Sequence, residues 1–220
     1  MANPHLSAGR LLYGAPLADA TLVVVAVHGR GQSPEYLVEN LIKPLDRRDF
    51  SCTNTAWVLP AADGGTWYPL GFMAPIADNQ PRLGYALDVM VDIASELTEG
   101  SSPRSPSQIV WAGFSQGAVL VTEHIARRPR RWAGLICLTG GMIGPADNEL
   151  RVAGPLSEMP AYFSNSGVDE WVPLSRTEAS AEAFRAAGAD VEFEIIPDRP
   201  HLISPTEIDS VARFLRRVAG

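Results

Sequence analysis

The chain has 220 residues, 46% of them apolar and 20% charged, a composition that supports a buried core and excludes disorder over most of its length. Its 18 basic and 25 acidic side chains give a net charge of −7, which repels a phosphate backbone, so we expect no nucleic-acid partner. The longest apolar run, residues 22–27, is far shorter than the roughly 20 residues that cross a bilayer. We therefore expect a single domain over residues 1–220 without a transmembrane segment.

Two cysteines, Cys52 and Cys137, are too few for a disulfide framework. Cys137 lies inside an apolar run, where a buried thiol acts as a small hydrophobic side chain. The first residues lack the basic stretch and apolar segment that are typical of a secretory signal. These observations predict a cytoplasmic protein. They leave the oligomeric state open, a homodimer included.

Short apolar runs recur along the chain and predict the strands of a sheet. The run at residues 22–27 is rich in β-branched side chains and uninterrupted, which is typical of a strand buried on both faces. The run at residues 191–196 alternates, as an edge or half-exposed strand does. The predicted strands are residues 22–27, 56–59, 109–114, 135–138, 161–163 and 191–196.

Between these runs the apolar spacing changes to that of a helix. Residues 83–97 carry an apolar stripe, and Gly100 is the expected stop. Gly188 is the expected C-cap of a helix at residues 174–187. The other predicted helices are residues 35–42, 116–127 and 206–218. Strands that alternate with helices predict an α/β fold, with one mostly parallel sheet and helices on both faces.

The loop at residues 63–80 is longer than a plain connection needs. It carries Trp67, Tyr68, Phe72 and Met73 among glycines and prolines. Long loops in compact domains are often functional. The loop therefore either forms a pocket or covers the sheet, and the sequence does not choose between the two.

A G-x-S-x-G motif at residues 113–117 identifies Ser115 as a candidate nucleophile. A predicted strand precedes the motif and a predicted helix follows it, which is the context of a nucleophile elbow. Gly113 and Gly117 leave out the Cβ atoms that would obstruct so sharp a turn. Ser115 would then stand at a helix N-terminus, where N–H groups favour a developing negative charge. The alternative is a serine that only caps the helix.

A serine hydroxyl needs a base and an orienting acid to become a nucleophile. In enzymes built on such an elbow the chain order is Ser, then acid, then His. His124 would lie about two and a half turns into the following helix, where it cannot reach back, and we expect it to be solvated. His201 follows the last predicted strand by a short loop and is the predicted base.

Asp169 is the predicted acid, because it directly follows a predicted strand, where a carboxylate can accept a hydrogen bond from the histidine. Asp147 is a weaker candidate, and an ordinary surface loop is the alternative interpretation of Asp169. Glu170 would face away from Asp169 in an extended loop. Asp198 is too near His201 in sequence to approach its ring well.

The segment His-Gly-Arg-Gly at residues 28–31 ends the first predicted strand. An oxyanion hole uses one backbone N–H from this loop and one from the residue after the nucleophile. We expect the main-chain N–H groups of Arg30 and Gln116 in these roles, and a structural hydrogen bond for His28. A tight turn alone would also explain the glycines.

Four segments together resemble the phospholipase/carboxylesterase family of serine hydrolases, which includes the acyl-protein thioesterases. They are HGRG at 28–31, GFSQG at 113–117, GVDEWVP at 167–173 and HLI at 201–203. The resemblance implies an α/β-hydrolase fold without a large cap domain and a catalytic triad of Ser115, Asp169 and His201. It also implies esterase or thioesterase activity on acyl groups in a shallow apolar groove.

The chain departs from the family pattern at three places. Ala118 stands where many members have a third glycine, and Pro200 precedes the histidine where glycine is usual. The loop at residues 63–80 carries its own set of aromatic side chains. The first two departures bear on the fine geometry of the site, and the third bears on the substrate.

Pocket, metal and surface predictions complete the sequence analysis. The candidate substrate-binding residues are Trp67, Tyr68, Phe72, Met73, Met142 and Ile143. The histidines show no paired-ligand spacing, so we expect no metal site and no cofactor. The basic cluster at residues 127–131 falls between a predicted helix and a predicted strand, so we expect a solvated turn.

These residues predict a serine hydrolase that cleaves carboxylic esters or thioesters of small to medium acyl or aryl substrates through an acyl-enzyme intermediate. A lysophospholipase or acyl-protein thioesterase is an alternative within the same chemistry. A non-catalytic binding protein with the hydrolase fold is an alternative of another class. A lyase or acyltransferase would use the same three side chains. Acyl length and leaving group depend on pocket shape and stay open.

Overall fold

The computed structural model describes residues 2–48 and 54–220. Its centre is a seven-stranded sheet in the order β1-β3-β2-β4-β5-β6-β7. The strands β2 to β7 are parallel to their neighbours, and β1 pairs with β3 in the antiparallel direction. The strands are β1 (Arg10–Gly14), β2 (Leu22–Val27), β3 (Thr55–Pro60), β4 (Ile109–Phe114), β5 (Gly134–Leu138), β6 (Pro160–Asn165) and β7 (Asp190–Ile195).

Helices follow most of the strands and cover the sheet. They are α1 (Pro4–Ser7), α2 (Pro34–Leu37), α3 (Lys43–Asp46), α4 (Arg82–Glu99), α5 (Gln116–Arg127), α6 (Leu174–Ala186) and α7 (Pro205–Ala219). A π-helical stretch, Val38–Ile42, joins α2 to α3. Pro44, near the start of α3, has no N–H to donate, which agrees with a change of hydrogen-bond pattern at this point.

The centre of the sheet is buried on both faces, whereas the edge strands β1 and β7 are partly exposed. Every residue of β2, β3 and β4 is buried, as parallel strands between two helical layers should be. On β2, Val23 and Val25 pack with α4, α5 and α6, whereas Leu22 and Val24 pack with α2, α3 and α7. Successive side chains of one strand thus enter two separate cores, and the predicted fold class is confirmed.

Two elements were absent from the sequence prediction. The edge strand β1 alternates between exposed and half-buried residues, so it carries no continuous apolar run. The helix α1 is only four residues long, and Asn3 caps its N-terminus. Cys137 is buried in β5 as expected, and burial raises the pKa of its thiol to about 12. Cys52 lies outside the described residues.

The parallel sheet brings the predicted functional segments to one edge, because all its parallel strands end on the same side. The segment at residues 28–31 follows β2, and Ser115 follows β4. Asp169 lies in the loop after β6, and His201 lies in the loop after β7. Over the described ranges, no helix combines the length and the apolar character needed to cross a bilayer.

Candidate active site

Ser115 lies in the sharp turn between β4 and α5. Its backbone has φ 53° and ψ −118°, a conformation that residues with side chains rarely adopt. The neighbouring glycines make this turn feasible. A Cβ on Gly113 would lie 2.5 Å from the carbonyl carbon of Gly117, and a Cβ on Gly117 would overlap the carbonyl oxygen of Val27. The motif therefore has the steric basis that its spacing predicts.

His201 lies within hydrogen-bonding distance of the candidate nucleophile. Its Nε2 is 2.8 Å from the Oγ of Ser115. The imidazole packs against the ring of Phe114, with 5.1 Å between the ring centroids, and its side chain is 18% exposed. A base in this position can accept the serine proton as the oxygen attacks.

Asp169 lies on the opposite side of the imidazole, with its side chain buried. Its Oδ2 and Oδ1 are 2.9 and 3.0 Å from the Nδ1 of His201. The backbone N–H groups of Trp171 and Val172 donate to Oδ1. Burial raises the pKa of the carboxyl, but the hydrogen bonds from His201, Val172 and Trp171 outweigh it and hold the pKa below its usual value. The ionised carboxylate favours the tautomer that carries its proton on Nδ1 and leaves Nε2 free to accept.

The weaker acid candidates lie outside this row of hydrogen bonds. Asp147, Glu170 and Asp198 are exposed side chains in loops. Asp198 also has a positive φ of 51°, so it marks the bend that turns the chain after β7. The structure thus brings together Ser115, His201 and Asp169, the three residues selected from the sequence.

His124 is buried, so the prediction that it is solvated is wrong. It is 3% exposed, and its ring lies 4.3 Å from Trp111 and 5.9 Å from Trp132, measured between ring centroids. Burial, with smaller contributions from Arg128 and Arg130, lowers the pKa of His124 to about 3. The charged neighbours in the sequence suggested a solvent face, but α5 is buried from its first residue to Ala126.

The loop after β2 passes close to the nucleophile. A Cβ on Gly29 would lie 3.2 Å from the Cβ of Ser115. The N–H of Gly29 donates to the side chain of Gln32 at 2.8 Å. His28 accepts from the N–H of Ala62 through Nε2, so its Nδ1 carries the proton that points at the carbonyl oxygen of Gly29. Burial lowers the pKa of His28, which makes structural hydrogen bonds as predicted.

Arg30 and Gln116 both line the cavity that contains Ser115 and His201. Gln116 is the first residue of α5, where backbone N–H groups have no acceptor within the helix. The structure therefore places both residues beside Ser115. Their role as oxyanion donors stays a prediction.

The side chains of these two residues bind the pocket loop, residues 63–80. The Oε1 of Gln116 accepts from the N–H of Trp67 at 3.0 Å, and its Nε2 donates to the carbonyl oxygen of Tyr68 at 2.8 Å. The guanidinium of Arg30 donates to the carbonyl oxygens of Pro69 and Leu70 at 2.8 and 2.6 Å. Four consecutive residues of the pocket loop are thus fixed to the residues that flank the nucleophile.

A cavity of about 270 Å³ opens at Ser115. Its lining residues are Arg30, Gln32, Tyr68, Gly71, Phe72, Ser115, Gln116, Val119, Trp171, Val172 and His201. Two of the six predicted pocket residues, Tyr68 and Phe72, are among them. Since Tyr68 is also fully buried in the larger core, the pocket loop both forms the cavity and covers the sheet.

The other four predicted pocket residues do not line this cavity. Trp67 is buried between His5 and His28, and its Nε1 donates to the carbonyl oxygen of His28. Met73 contacts the buried side chain of Arg176. Two further residues, Met142 and Ile143, are buried in the core, and their N–H groups bind side chains of α6 and α5. Apolar character identified buried residues here, but not the direction in which each side chain points.

Five lining residues were missed from the sequence. Val119 was accessible to sequence reasoning, because it lies four residues after Ser115 and so one helical turn along the same face. Trp171 and Val172 follow the acid directly, so their apolar side chains were another available signal. Trp171 is 68% exposed at the cavity mouth. Gln32 and Gly71 carry no comparable signal.

Comparison with known proteins assigns the chain to a family. The model of the phospholipase/carboxylesterase family matches residues 15–219. The chain belongs to this family. The resemblance found in the four sequence segments is therefore confirmed. Because the match spans β2 to α7, it includes every segment that reaches the candidate site.

Individual relatives of the family extend over nearly the whole chain. An acyl-protein thioesterase 1 from Gibberella zeae is 30% identical over an alignment of 249 positions, gaps included, which covers 96% of this chain and 97% of that protein. The crystal structure of a phospholipase/carboxylesterase from Dyadobacter fermentans is 34% identical, with a TM-score of 0.82 over 94% of this chain and 96% of that chain. Esterase PE8 is 23% identical, with a TM-score of 0.78 over 96% and 98%, and shows the fold alone. The predicted α/β-hydrolase fold without a large cap domain is confirmed.

Proposed function

We propose that this chain is a serine hydrolase that cleaves carboxylic esters or thioesters through an acyl-enzyme intermediate. The observation that carries the proposal is the row of hydrogen bonds from Ser115 through His201 to the buried Asp169. The row ends in a cavity large enough for an acyl or aryl group. Membership of the phospholipase/carboxylesterase family supports the same chemistry.

Acylation begins with proton transfer from Ser115 to His201. The Oγ of Ser115 attacks the substrate carbonyl carbon while Nε2 of His201 accepts its proton. Asp169 stabilises the imidazolium that forms and holds its orientation. The backbone N–H groups of Arg30 and Gln116 bind the oxyanion of the tetrahedral intermediate. His201 then gives the proton to the leaving alcohol or thiol, and the acyl group remains on Ser115.

Deacylation repeats these steps with water as the nucleophile. His201 takes a proton from water as the water oxygen attacks the acyl carbonyl. The same N–H groups bind the second oxyanion. Collapse of this intermediate returns the proton to Ser115 and releases the carboxylic acid. The free enzyme is thereby restored.

The cavity favours small to medium acyl or aryl groups. Its volume of about 270 Å³ lies near the lower end of the range for pockets that hold drug-sized ligands, roughly 300–1,000 Å³. Its walls combine aromatic and aliphatic side chains with the polar groups of the triad, and Phe72, Val119 and Trp171 are representative. A thioester is the second candidate substrate, since the relative from Gibberella zeae is named an acyl-protein thioesterase.

The proposal is tested by hydrolysis of p-nitrophenyl esters with acetyl, butyryl, octanoyl and benzoyl groups, each alongside its thioester. We expect turnover by the unmodified chain and a loss of about 10⁶-fold in kcat for Ser115→Ala. Ser102→Ala, which changes an exposed serine, is the matched control and should leave kcat unchanged. If Ser115→Ala kept most of the activity, the proposed nucleophile would be wrong. If the unmodified chain turned over no ester or thioester, the binding-protein alternative would be favoured.

A further inference from the structure

Arg199 is a buried cation next to the triad with no part in the mechanism above. Its side chain is 2% exposed and lies between Asp169 and Glu207, whose side chains are fully buried. Its Nη1 is 3.8 Å from the Oδ2 of Asp169, and its Nε is 3.4 Å from the Oε2 of Glu207. Arginine is almost never fully buried unless it is paired, so a specific role is expected.

The guanidinium of Arg199 holds the backbone on both sides of the base. Its Nη1 donates to the carbonyl oxygens of Pro200 and Leu202, each at 2.8 Å. These two residues precede and follow His201 in the chain. Its Nη2 donates to the Oγ1 of Thr139 at 2.6 Å, immediately after β5. One side chain therefore ties the loop that carries the base to the centre of the sheet edge.

Arg199, Asp169 and Glu207 form a buried charged cluster, in which Glu207 is held by hydrogen bonds. Its Oε1 accepts from the hydroxyl of Ser164 at 2.6 Å, and its Oε2 accepts from the N–H and the hydroxyl of Ser204 at 2.8 and 2.9 Å. These three hydrogen bonds fix both oxygens of the carboxyl group. Asp169 and Glu207 thus present two buried carboxylates to a single arginine.

We propose that Arg199 is a positioning residue for His201. It fixes the loop on both sides of the imidazole, and its positive charge offsets the negative charge that Asp169 and Glu207 place near the base. Loss of this charge would leave two buried carboxylates beside the loop that carries the base, with no cation between them. The inference rests on the proposed function, since it concerns the same base.

Two tyrosines and one further carboxyl group lie on the elements packed against Arg199, Asp169 and Glu207. Tyr36 of α2 and Tyr162 of β6 interact with Glu207, and burial is the main cause that raises the pKa of each hydroxyl, so both stay neutral. Glu194 of β7 is bound by the hydroxyls of Tyr162 and Ser210. Asp169 is the carboxylate in direct contact with His201, and Arg199 pairs with it and with Glu207.

The test is the pH profile of kcat/KM for p-nitrophenyl ester hydrolysis, with active sites counted by a fluorophosphonate probe. On the acidic side of this profile, the acid limb, kcat/KM falls as pH decreases. For Arg199→Met we expect the midpoint of the acid limb to move up by about one pH unit, because a positive charge near the imidazolium is lost. We also expect kcat to fall roughly 10- to 100-fold, because the loop that carries the base is no longer held. Arg199→Lys keeps the charge without the planar fork, so its acid limb should stay near the original value while kcat remains reduced.

A double variant separates charge from geometry and remains informative if Arg199→Met fails to fold. Arg199→Met with Glu207→Gln removes one charge of each sign, and replacing both members of a buried pair is far better tolerated than removing one. Its acid limb should return towards the original value, while kcat stays low because the carbonyl oxygens of Pro200 and Leu202 are still unbound. A double variant with unchanged kcat would overturn the positioning role.

Arg176→Met is the matched control, because Arg176 is also a buried arginine but binds the carbonyl oxygens of Gly144 and Pro145. It should lose stability without a shift of the acid limb. An acid limb that stays in place in Arg199→Met, or moves equally in Arg176→Met, would overturn the inference while ester hydrolysis by the unmodified chain upholds the proposed function. If the unmodified chain does not hydrolyse esters, both the proposed function and the positioning role of Arg199 are wrong.

Discussion

The two halves of the candidate site are held in place by different means. On the nucleophile side, the backbone fixes Ser115, because Gly113 and Gly117 let the strand, the turn and the helix approach without intervening Cβ atoms. On the acid and base side, hydrogen bonds to side chains hold the geometry: two backbone N–H groups bind the carboxylate of Asp169, and the guanidinium of Arg199 binds the loop that carries His201. One half depends on the absence of side-chain atoms and the other on buried charge.

This difference decides what a sequence motif can reveal. A turn that excludes Cβ atoms requires glycines at a fixed local spacing. The sequence of residues 113–117 is therefore enough to predict this turn. The cluster around Arg199 is assembled from three separate parts of the chain, at Thr139, at Asp169 and at residues 199–207. It leaves no local pattern, and only the fold brings its members together.

Among changes to the groups that hold Ser115 and His201 in place, the largest effect is expected at the carboxylate that contacts the imidazole. Asp169→Asn should lower kcat by about 10⁴-fold, since an amide in this place favours the wrong tautomer of His201. Steady-state kinetics on a p-nitrophenyl ester measure this loss. Glu170→Gln changes the exposed neighbour and should leave kcat unchanged. A loss of less than tenfold in Asp169→Asn would contradict the proposed role of the carboxylate.

Changes to the glycines of the turn around Ser115 should lower the free energy of unfolding. Gly117→Ala adds a Cβ that overlaps the carbonyl oxygen of Val27, and we expect a loss of about 3 kcal/mol in the free energy of unfolding. Urea denaturation measures it. Gly167→Ala is the control, since a Cβ there has no neighbour within 4 Å and Gly167 is two residues from Asp169. Equal stability of the two variants would show that the elbow does not need its glycine.

A histidine outside both halves should make stability depend on pH. His124 has its pKa lowered to about 3 in the folded chain, mainly by burial, so the unfolded chain binds the proton first as pH falls below about 6.5. Its contribution is therefore fully present above that pH and should decline by about 2 to 3 kcal/mol on going to pH 4.5. Urea denaturation at several pH values should show this decline in the unmodified chain and a flatter dependence in His124→Leu. The same slope in both would contradict a neutral buried His124.

The smallest effect is expected for the hydrogen bonds between the side chain of Arg30 and the pocket loop. Arg30→Met keeps the backbone N–H but loses two hydrogen bonds from an exposed guanidinium, worth about 1 kcal/mol together. KM should rise about fivefold while kcat stays within roughly twofold. Arg128→Met changes another exposed arginine, one at the end of α5, and should alter neither constant. An unchanged KM in Arg30→Met would show that this contact does not shape the pocket.

The sequence predicted the buried strands and the three candidate catalytic residues because each has a local or ordered signal. Continuous apolar runs mark parallel strands, and the order Ser, acid, His selected Asp169 and His201. The edge strand β1 lacks such a run, because every second residue of it faces solvent. The prediction that His124 is solvated was wrong. Its charged neighbours in the sequence suggested a solvent-facing helix, but other elements cover nearly all of α5. The pocket was only partly predicted, because an apolar residue type does not say which way its side chain points.

Joint action of Ser115, His201 and Asp169 is tested by covalent labelling with a fluorophosphonate, followed by mass spectrometry of the labelled peptide. We predict a single label on Ser115, no label in Ser115→Ala, and much slower labelling in His201→Ala and Asp169→Asn. Labelling of a different residue, or equal rates in the unmodified chain and in His201→Ala, would contradict the claim that these three side chains act together.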